Sequence, residues 1–225
     1  MNGEARSENR GMTDTDGSLK KVLIEAKNLG LNIGITAAGE KKFIYSPLNP
    51  TPCLYAVLSG QVGVFLRSGH HGLSCCSRIV KPDMLFGLEH ITNDNDRLLS
   101  AKPLAGPAKV ARFTPKQFKK LFDRSTAFNM LALESFADAL MQTYDFTEML
   151  AFENLPKQVL QILERLSNGS GAVKMAHQGL ADMLATYRET VSAILRGLKS
   201  KGVVRGQNYR RIELDRNRLA EELAL

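Results

Sequence analysis

The sequence predicts an α+β protein: an antiparallel β-barrel or roll, then one long helix, then a C-terminal unit of short helices closed by a β-hairpin. Three observations carry this. Between Gly34 and Phe113, short β-prone runs alternate with Gly and Pro. From Arg124 to Glu153 there is neither Gly nor Pro. After a break at Asn168 to Gly171, helical apolar spacing resumes in two short pieces and then gives way to alternation. A chain of 225 residues, 44% hydrophobic and 24% charged, is long enough for two domains and can bury a core, which excludes a disordered chain, a collagen-like repeat or a disulfide miniprotein.

Met1 to about Ser18 is rich in Gly, Ser, Asn, Asp and Thr without periodicity, and reads as a disordered tail over residues 1–18. Lys20–Leu29 predicts a short helix. Strands are expected at Lys42–Tyr45, Leu54–Leu58, Gln61–Leu66, Leu73–Val80 and Lys109–Phe113, with Pro47, Gly60, Pro82, Gly87, Pro103, Gly106 and Pro107 between or beside them. Thr114 before Pro115 marks a helix start, since a hydroxyl caps and proline fits the first turn. The roll domain is therefore drawn over residues 19–123.

The long helix occupies residues 124–153. Leu133, Phe136, Leu140, Thr143, Thr147 and Leu150 recur in alternating steps of three and four, which aligns them on one seam. Such a seam pairs two subunits or packs against the roll. One long helix beside a small roll rarely buries both sides, which favours a homodimer interface. Asn154 then caps a helix with Pro156 in its first turn, opening a second domain over residues 154–225.

In that domain Leu180, Ala181 and Leu184 give a short helix an apolar face, Ala185 stands at a bend, and a second helix begins near Tyr187. Thr186 and Glu189 have the spacing of a capping box. Val191, Ile194, Leu195 and Leu198 line one side, leaving Arg188, Glu189, Ser192 and Arg196 on the other, and Gly202 ends the helix. Val203–Arg205 and Tyr209–Leu214, around Gly206-Gln207-Asn208, read as a β-hairpin wing.

Charge follows the same division. Residues 1–153 carry 18 basic and 16 acidic side chains, whereas Lys174–Arg211 alone holds eight basic residues against Asp182 and Glu189. Such a patch attracts phosphate or an anionic lipid surface, or is simply a solvated face. Two short helices with a tight bend, the second presenting a guanidinium and a carboxylate at its start, fit a helix entering the DNA major groove, where Arg bonds guanine and Glu accepts from cytosine. Arg205, Arg210 and Arg211 on the wing would then meet backbone phosphate.

The runs His177-Gln178-Gly179-Leu180-Ala181-Asp182, Tyr187-Arg188-Glu189-Thr190-Val191-Ser192 and Leu198-Lys199-Ser200-Lys201-Gly202-Val203-Val204 resemble the winged helix-turn-helix of the Crp/Fnr family of bacterial transcription regulators. Leu54-Tyr55-Ala56-Val57-Leu58-Ser59-Gly60-Gln61-Val62 resembles the start of that family's cyclic-nucleotide-binding β-roll, a double-stranded β-helix. Met149-Leu150-Ala151-Phe152 resembles the end of its dimerisation helix, so the likeness spans roughly residues 35–215. The resemblance implies a homodimer on a near-palindromic double-stranded DNA operator, with RNA polymerase as a further partner. It makes Arg188 and Glu189 base readers, Ser192 their neighbour, and His177 and Gln178 phosphate contacts, with Arg196, Thr186 and Tyr187 also among the DNA-binding residues. This chain departs from the family pattern at Ala176, Ala185 and Ala193, which leaves the half-site open.

The same resemblance offers Glu89, Arg97, Thr143 and Tyr144 as effector contacts. The nucleotide signature is degenerate, however: Phe86-Gly87-Leu88-Glu89 shifts the acid by one residue, and Arg97-Leu98-Leu99 lacks the adjoining hydroxyl. Cys75, Cys76, His70, His71 and His90 provide haem-type ligands, but no spacing among them is diagnostic and adjacent cysteines in a strand face opposite ways. Cys53, Cys75 and Cys76 are read as structural, with no cofactor assigned. No signal peptide or apolar stretch of about 20 residues is visible, so a cytoplasmic protein without membrane association is expected. Neither a phosphate loop, a Ser-His-Asp order nor metal-ligand spacing argues for an enzyme.

Overall fold

The computed structural model describes residues 18–40, 42–49, 51–67, 73–92, 99–167, 171–208 and 211–224. The expected tail up to Gly17, His70, His71, Arg97, Tyr209 and Arg210 lie outside the described residues, as does the break at Asn168 to Gly171 except for Gly171.

Helix α1 (Ser18–Asn28) leads into strands β1 (Gly34–Ala38), β2 (Leu54–Arg67), β3 (Ser74–Val80) and β4 (Leu85–Phe86), the single turn α2 (Glu89–Thr92), and β5 (Leu99–Phe113). The strands form one antiparallel sheet in the order β1-β5-β2-β3, with β4 added to β2. Both faces of the sheet are covered. Leu54 and Ala56 pack under α1 and the helices that follow the roll, whereas Tyr55, Val57, Val62 and Val64 fill the roll interior with Tyr45, Phe86 and Val110.

Several expected strand boundaries change. Leu54–Leu58 and Gln61–Leu66 are one strand, β2, and Lys109–Phe113 is the end of β5, which runs through Pro103, Gly106 and Pro107. The reason is a shared corner. Ser59 pairs with Lys109 but Gln61 with Leu104, so residues 105–108 of β5 bulge opposite Gly60. Ala105 and Gly106 turn there with φ of 54° and 139°, and Gly60 has φ of 80°. A Cβ on Gly60 would stand 2.6 Å from the Pro107 carbonyl oxygen, so only glycine fits. Lys42–Tyr45 is not a strand, because the chain turns back between Ser46 and Asn49 and only Tyr45 bridges to the sheet, at Ala101. Strand β1, with little β-propensity of its own, is held by its pairing with β5.

Helix α3 (Pro115–Arg124) opens on a complete capping box: the Gln117 backbone N–H donates to the Thr114 hydroxyl and the Thr114 N–H to Gln117 Oε1. Ser125 then caps α4 (Thr126–Phe152) by accepting from the Phe128 N–H at 2.9 Å. One face of α4, with Phe128, Leu131, Ser135, Phe146 and Met149, is buried. The Ser135 hydroxyl accepts from the Leu85 N–H at 2.9 Å. The Gln142 amide takes both backbone groups of Ile79, accepting from its N–H at 2.8 Å and donating to its carbonyl at 3.1 Å.

The C-terminal unit comprises α5 (Leu155–Ser167), β6 (Ala172–Val173), α6 (His177–Met183), α7 (Arg188–Ser200), β7 (Val204–Asn208), β8 (Arg211–Leu214) and α8 (Arg216–Ala224). Its three strands form an antiparallel sheet, β6-β8-β7. Strand β7 runs on through Gly206-Gln207-Asn208, so the wing does not turn there as expected; Asn208 still pairs with Arg211. Helix α8 was not anticipated; the Asp215 carboxylate starts it by accepting from the Asn217 and Arg218 N–H groups. The unit docks on the edge of the roll. Leu184 bridges to Cys75, the Ser74 hydroxyl donates to the Asp182 carbonyl, and Lys102 pairs with the Asp182 carboxylate at 3.0 Å.

Candidate nucleic-acid interface

Helix α7 is set by what lies behind it. Val191, Leu195 and Leu198 are buried in a core shared with Val159, Leu163, Leu180, Val203 and Ile212. Its end is fixed by Gly202, whose φ of 76° allows the Gly202 and Val203 N–H groups to return to the Lys199 and Leu198 carbonyls. The opposite face carries Arg188, Glu189 and Arg196 exposed, with Ser192 half-buried among them. Neither Arg188 nor Arg196 forms an ion pair among the described residues. Glu189 lies in the first turn, where a negative charge suits the free N–H groups.

The capping box expected of Thr186 and Glu189 does not form. Ala185 occupies a left-handed conformation (φ 49°), and the Thr186 N–H bonds back to the Ala181 carbonyl, which draws Thr186 into the bend. Tyr187 becomes the N-cap, without a side-chain cap bond, and its ring is exposed. Glu189 therefore sits one residue too early to close the box.

A polar link joins the two helices. The Ser192 hydroxyl donates to the Arg188 carbonyl at 2.8 Å, so its single proton is used and His177 Nδ1, 2.9 Å away, is the donor to Ser192 Oγ. His177 Nε2 is buried without a partner among the described residues. Burial, and then the neighbouring Arg188 charge, hold the His177 pKa below its ordinary value, keeping the ring neutral. Gln178 is exposed, its amide donating to the Asp182 carboxylate.

On the wing, the Arg205 guanidinium grips Asp215 at two points, 3.0 and 2.6 Å, and Arg211 pairs with Glu213 at 3.2 Å. The exposed pairs leave these cations screened but accessible.

The seam residues of α4 lie on its outer face. Leu133, Phe136, Leu140 and Leu150 are 61%, 58%, 42% and 49% exposed, whereas the buried residues of the helix are Phe128, Leu131, Ser135, Phe146 and Met149. Thr143 and Thr147 are also exposed, their hydroxyls donating to helix carbonyls. Of the expected effector contacts, Glu89 and Thr143 meet at one cavity between roll and helix, while Tyr144 points away from it into solvent. Glu89 is already paired with Arg78. Burial pushes the thiols of Cys53, Cys75 and Cys76 up, Cys76 to about 12, so all three stand as neutral thiols. His90 packs against the Tyr45 ring.

Comparison with known proteins agrees with this layout. Residues 157–222 match the family model of the Crp-like helix-turn-helix domain. The Cyclic AMP receptor protein of Thermus thermophilus is 31% identical over 156 residues, covering 68% of this chain and 70% of the relative. Among solved structures, a CRP/FNR-family transcriptional regulator from Thermus thermophilus superposes with a TM-score of 0.71 at 22% identity, over 86% of this chain and 99% of its own. FixK2 from Bradyrhizobium japonicum superposes with a TM-score of 0.69 at 21% identity, over 85% and 97%.

Proposed function

Because this chain belongs to the Crp/Fnr family of transcription regulators, which are not enzymes, we propose that it acts as a homodimer that reads a near-palindromic operator through paired α7 helices. The observation that carries the reading is the sidedness of α7: Arg188 and Glu189 project from its first turn while the far side is locked into the core. An Arg there is suited to two-point bonding with a guanine edge and Glu to accepting from a cytosine amino group. Two-fold pairing through the exposed α4 seam sets the two helices about one DNA turn, roughly 34 Å, apart. Ser192 and His177 hold the Arg188 backbone, and Gln178, Lys174 and the wing arginines supply positive or polar surface toward phosphate.

The roll serves as the effector domain, coupled to the DNA-binding unit through β3, which touches α4 at Ile79 and α6 at Ser74 and Cys75. A ligand acts by its difference in affinity between two arrangements of α4 and the head. RNA polymerase is the partner that responds to the bound dimer, as the family likeness implies. No helix among the described residues is long and apolar enough to cross a membrane.

The test is selection of bound DNA from a random duplex library by the full chain, with and without cell metabolites. It should return inverted half-sites. Arg188→Ala should then weaken cognate binding by about 1 to 3 kcal/mol and relax the preference at one base pair per half-site. Equal discrimination by the wild type and the variant would refute the assignment.

A further inference from the structure

The roll, α3 and α4 surround a cavity of about 670 Å³, a size that holds a small organic ligand. Its walls are mostly hydrocarbon: Leu88 from the roll, Phe118 and Phe122 from α3, and Leu133, Phe136 and Leu140 from α4. Phe118 and Phe122 stack with their centroids 5.8 Å apart.

Among the described residues, most polar groups on the lining have a partner within the chain. Arg78 Nη2 meets both Glu89 oxygens, at 2.9 and 3.1 Å, and the Tyr45 hydroxyl donates to Glu89 as well. The pair is largely buried, so the charges cancel locally and an entering anion would lie against a carboxylate whose cation is already matched. The Ser77 hydroxyl donates to the Val64 carbonyl and the Thr143 hydroxyl to the Ala139 carbonyl. Having given their one proton, both can only accept.

Asn129 is the exception. Its Nδ2 donates to the Phe122 carbonyl at 3.0 Å, which fixes the orientation of the amide, since a flipped amide would set two carbonyl oxygens together. That leaves Asn129 Oδ1 buried beside the cavity without a donor among the described residues, an arrangement that favours a ligand able to supply one.

We propose that this cavity takes a neutral, largely apolar aromatic ligand whose hydrogen-bond donor meets Asn129 Oδ1, and that an anionic cyclic nucleotide is not its effector. The inference rests on the reading of the roll as an effector domain. It also supplies a route for the signal. Leu133, Phe136 and Leu140 belong both to the cavity wall and to the dimer seam. A ligand packed on them restricts their rotamers and so biases the pairing of the two α4 helices.

The experiment titrates the full-length protein by calorimetry with 2-naphthol, with 2-methoxynaphthalene, which has the same rings without the donor, and with cyclic AMP. Operator binding, with and without cell metabolites, is measured on the same preparations. In the wild type, 2-naphthol should bind about fivefold more tightly than the methoxy compound, the effect of one net hydrogen bond. Asn129→Leu should abolish that preference. Ala139→Leu, which fills the cavity from α4, should remove binding of both, and cyclic AMP should not displace 2-naphthol. Absent 2-naphthol binding, equal wild-type affinities, a preference that survives Asn129→Leu, or displacement by cyclic AMP overturns the proposal. If any of these occurs with operator binding intact, the ligand class alone is wrong; failure of the wild type to bind operator both without ligand and with cell metabolites overturns the functional reading beneath it. The comparison of the two naphthalenes uses the unmodified chain, so the test does not depend on either variant folding.

Discussion

Gln142→Met tests how the roll is fastened to α4. Strand β3 is the edge of the sheet, and Ile79 on it, only 8% exposed, directs its N–H and carbonyl at the Gln142 amide. Met preserves length and helix propensity but forms neither bond. Two backbone groups then lose their partner with little access for water. At about 1 to 1.5 kcal/mol each, less the gain from a more apolar side chain, the loss should be about 2 kcal/mol. For a chain of this length that is a fall in Tm of roughly 4 to 8 °C. Thermal unfolding followed by circular dichroism, at one fixed protein concentration because any self-association would shift the midpoint, reads it directly. Gln142→Glu serves as the control: ionised, it still accepts from Ile79 N–H but presents a negative charge to the Ile79 carbonyl and to Asp138, and should fare no better than Met. A loss under about 0.5 kcal/mol for Met would show that the edge of β3 is solvated without the amide, and would remove β3 as a rigid link between α4 and the head.

Phe136→Glu, on the exposed seam, should raise the dimer dissociation constant at least about thirtyfold, as expected for charging a central contact in both subunits; sedimentation equilibrium gives the answer, and an unchanged dimer rejects the seam. His177 provides a pH signature. Its folded pKa lies below the ordinary 6.5 because of burial and then Arg188, so the unfolded chain takes up a proton that the native ring resists. Its contribution is intact above about pH 6.5 and is lost as pH falls below that value. His177→Gln should flatten that part of a plot of Tm against pH, and parallel curves would exclude the site as the source. Ala185→Gly relieves a left-handed alanine (φ 49°). The relief exceeds the extra chain entropy of glycine, so the head should gain about 0.5 to 1 kcal/mol in urea unfolding; destabilisation would show that the bend is unstrained.

Features that depend on neighbours within about four residues were legible in the order of amino acids. The Thr114-Pro115 start, the Asn154 cap, the Gly202 stop and the three-four seam of α4 all belong to this class, because caps and helix faces are decided by bonds that close within one or two turns. The T-x-x-E pattern at Thr186 shows where that logic ends. The bend at Ala185, imposed by packing α6 against α7, moves the helix start by one residue and disables the box.

What tertiary structure alone decided concerns pairs distant along the chain. Gln142 with Ile79, Lys102 with Asp182, and Arg78 with Glu89 have no sequence signal, since any exposed amide or charge serves equally until folding brings one partner within reach. The corner joining β2 and β5 is similar: Gly and Pro punctuate a sequence whether they end a strand or bend it, and only cross-strand register tells the two apart. The helix-turn-helix and the polar, exposed face of α7 could thus be located from sequence periodicity. The chemistry of the cavity between roll and α4 could not, because the valences of Arg78, Glu89 and Asn129 are settled by contacts that exist only once the roll has closed on α4.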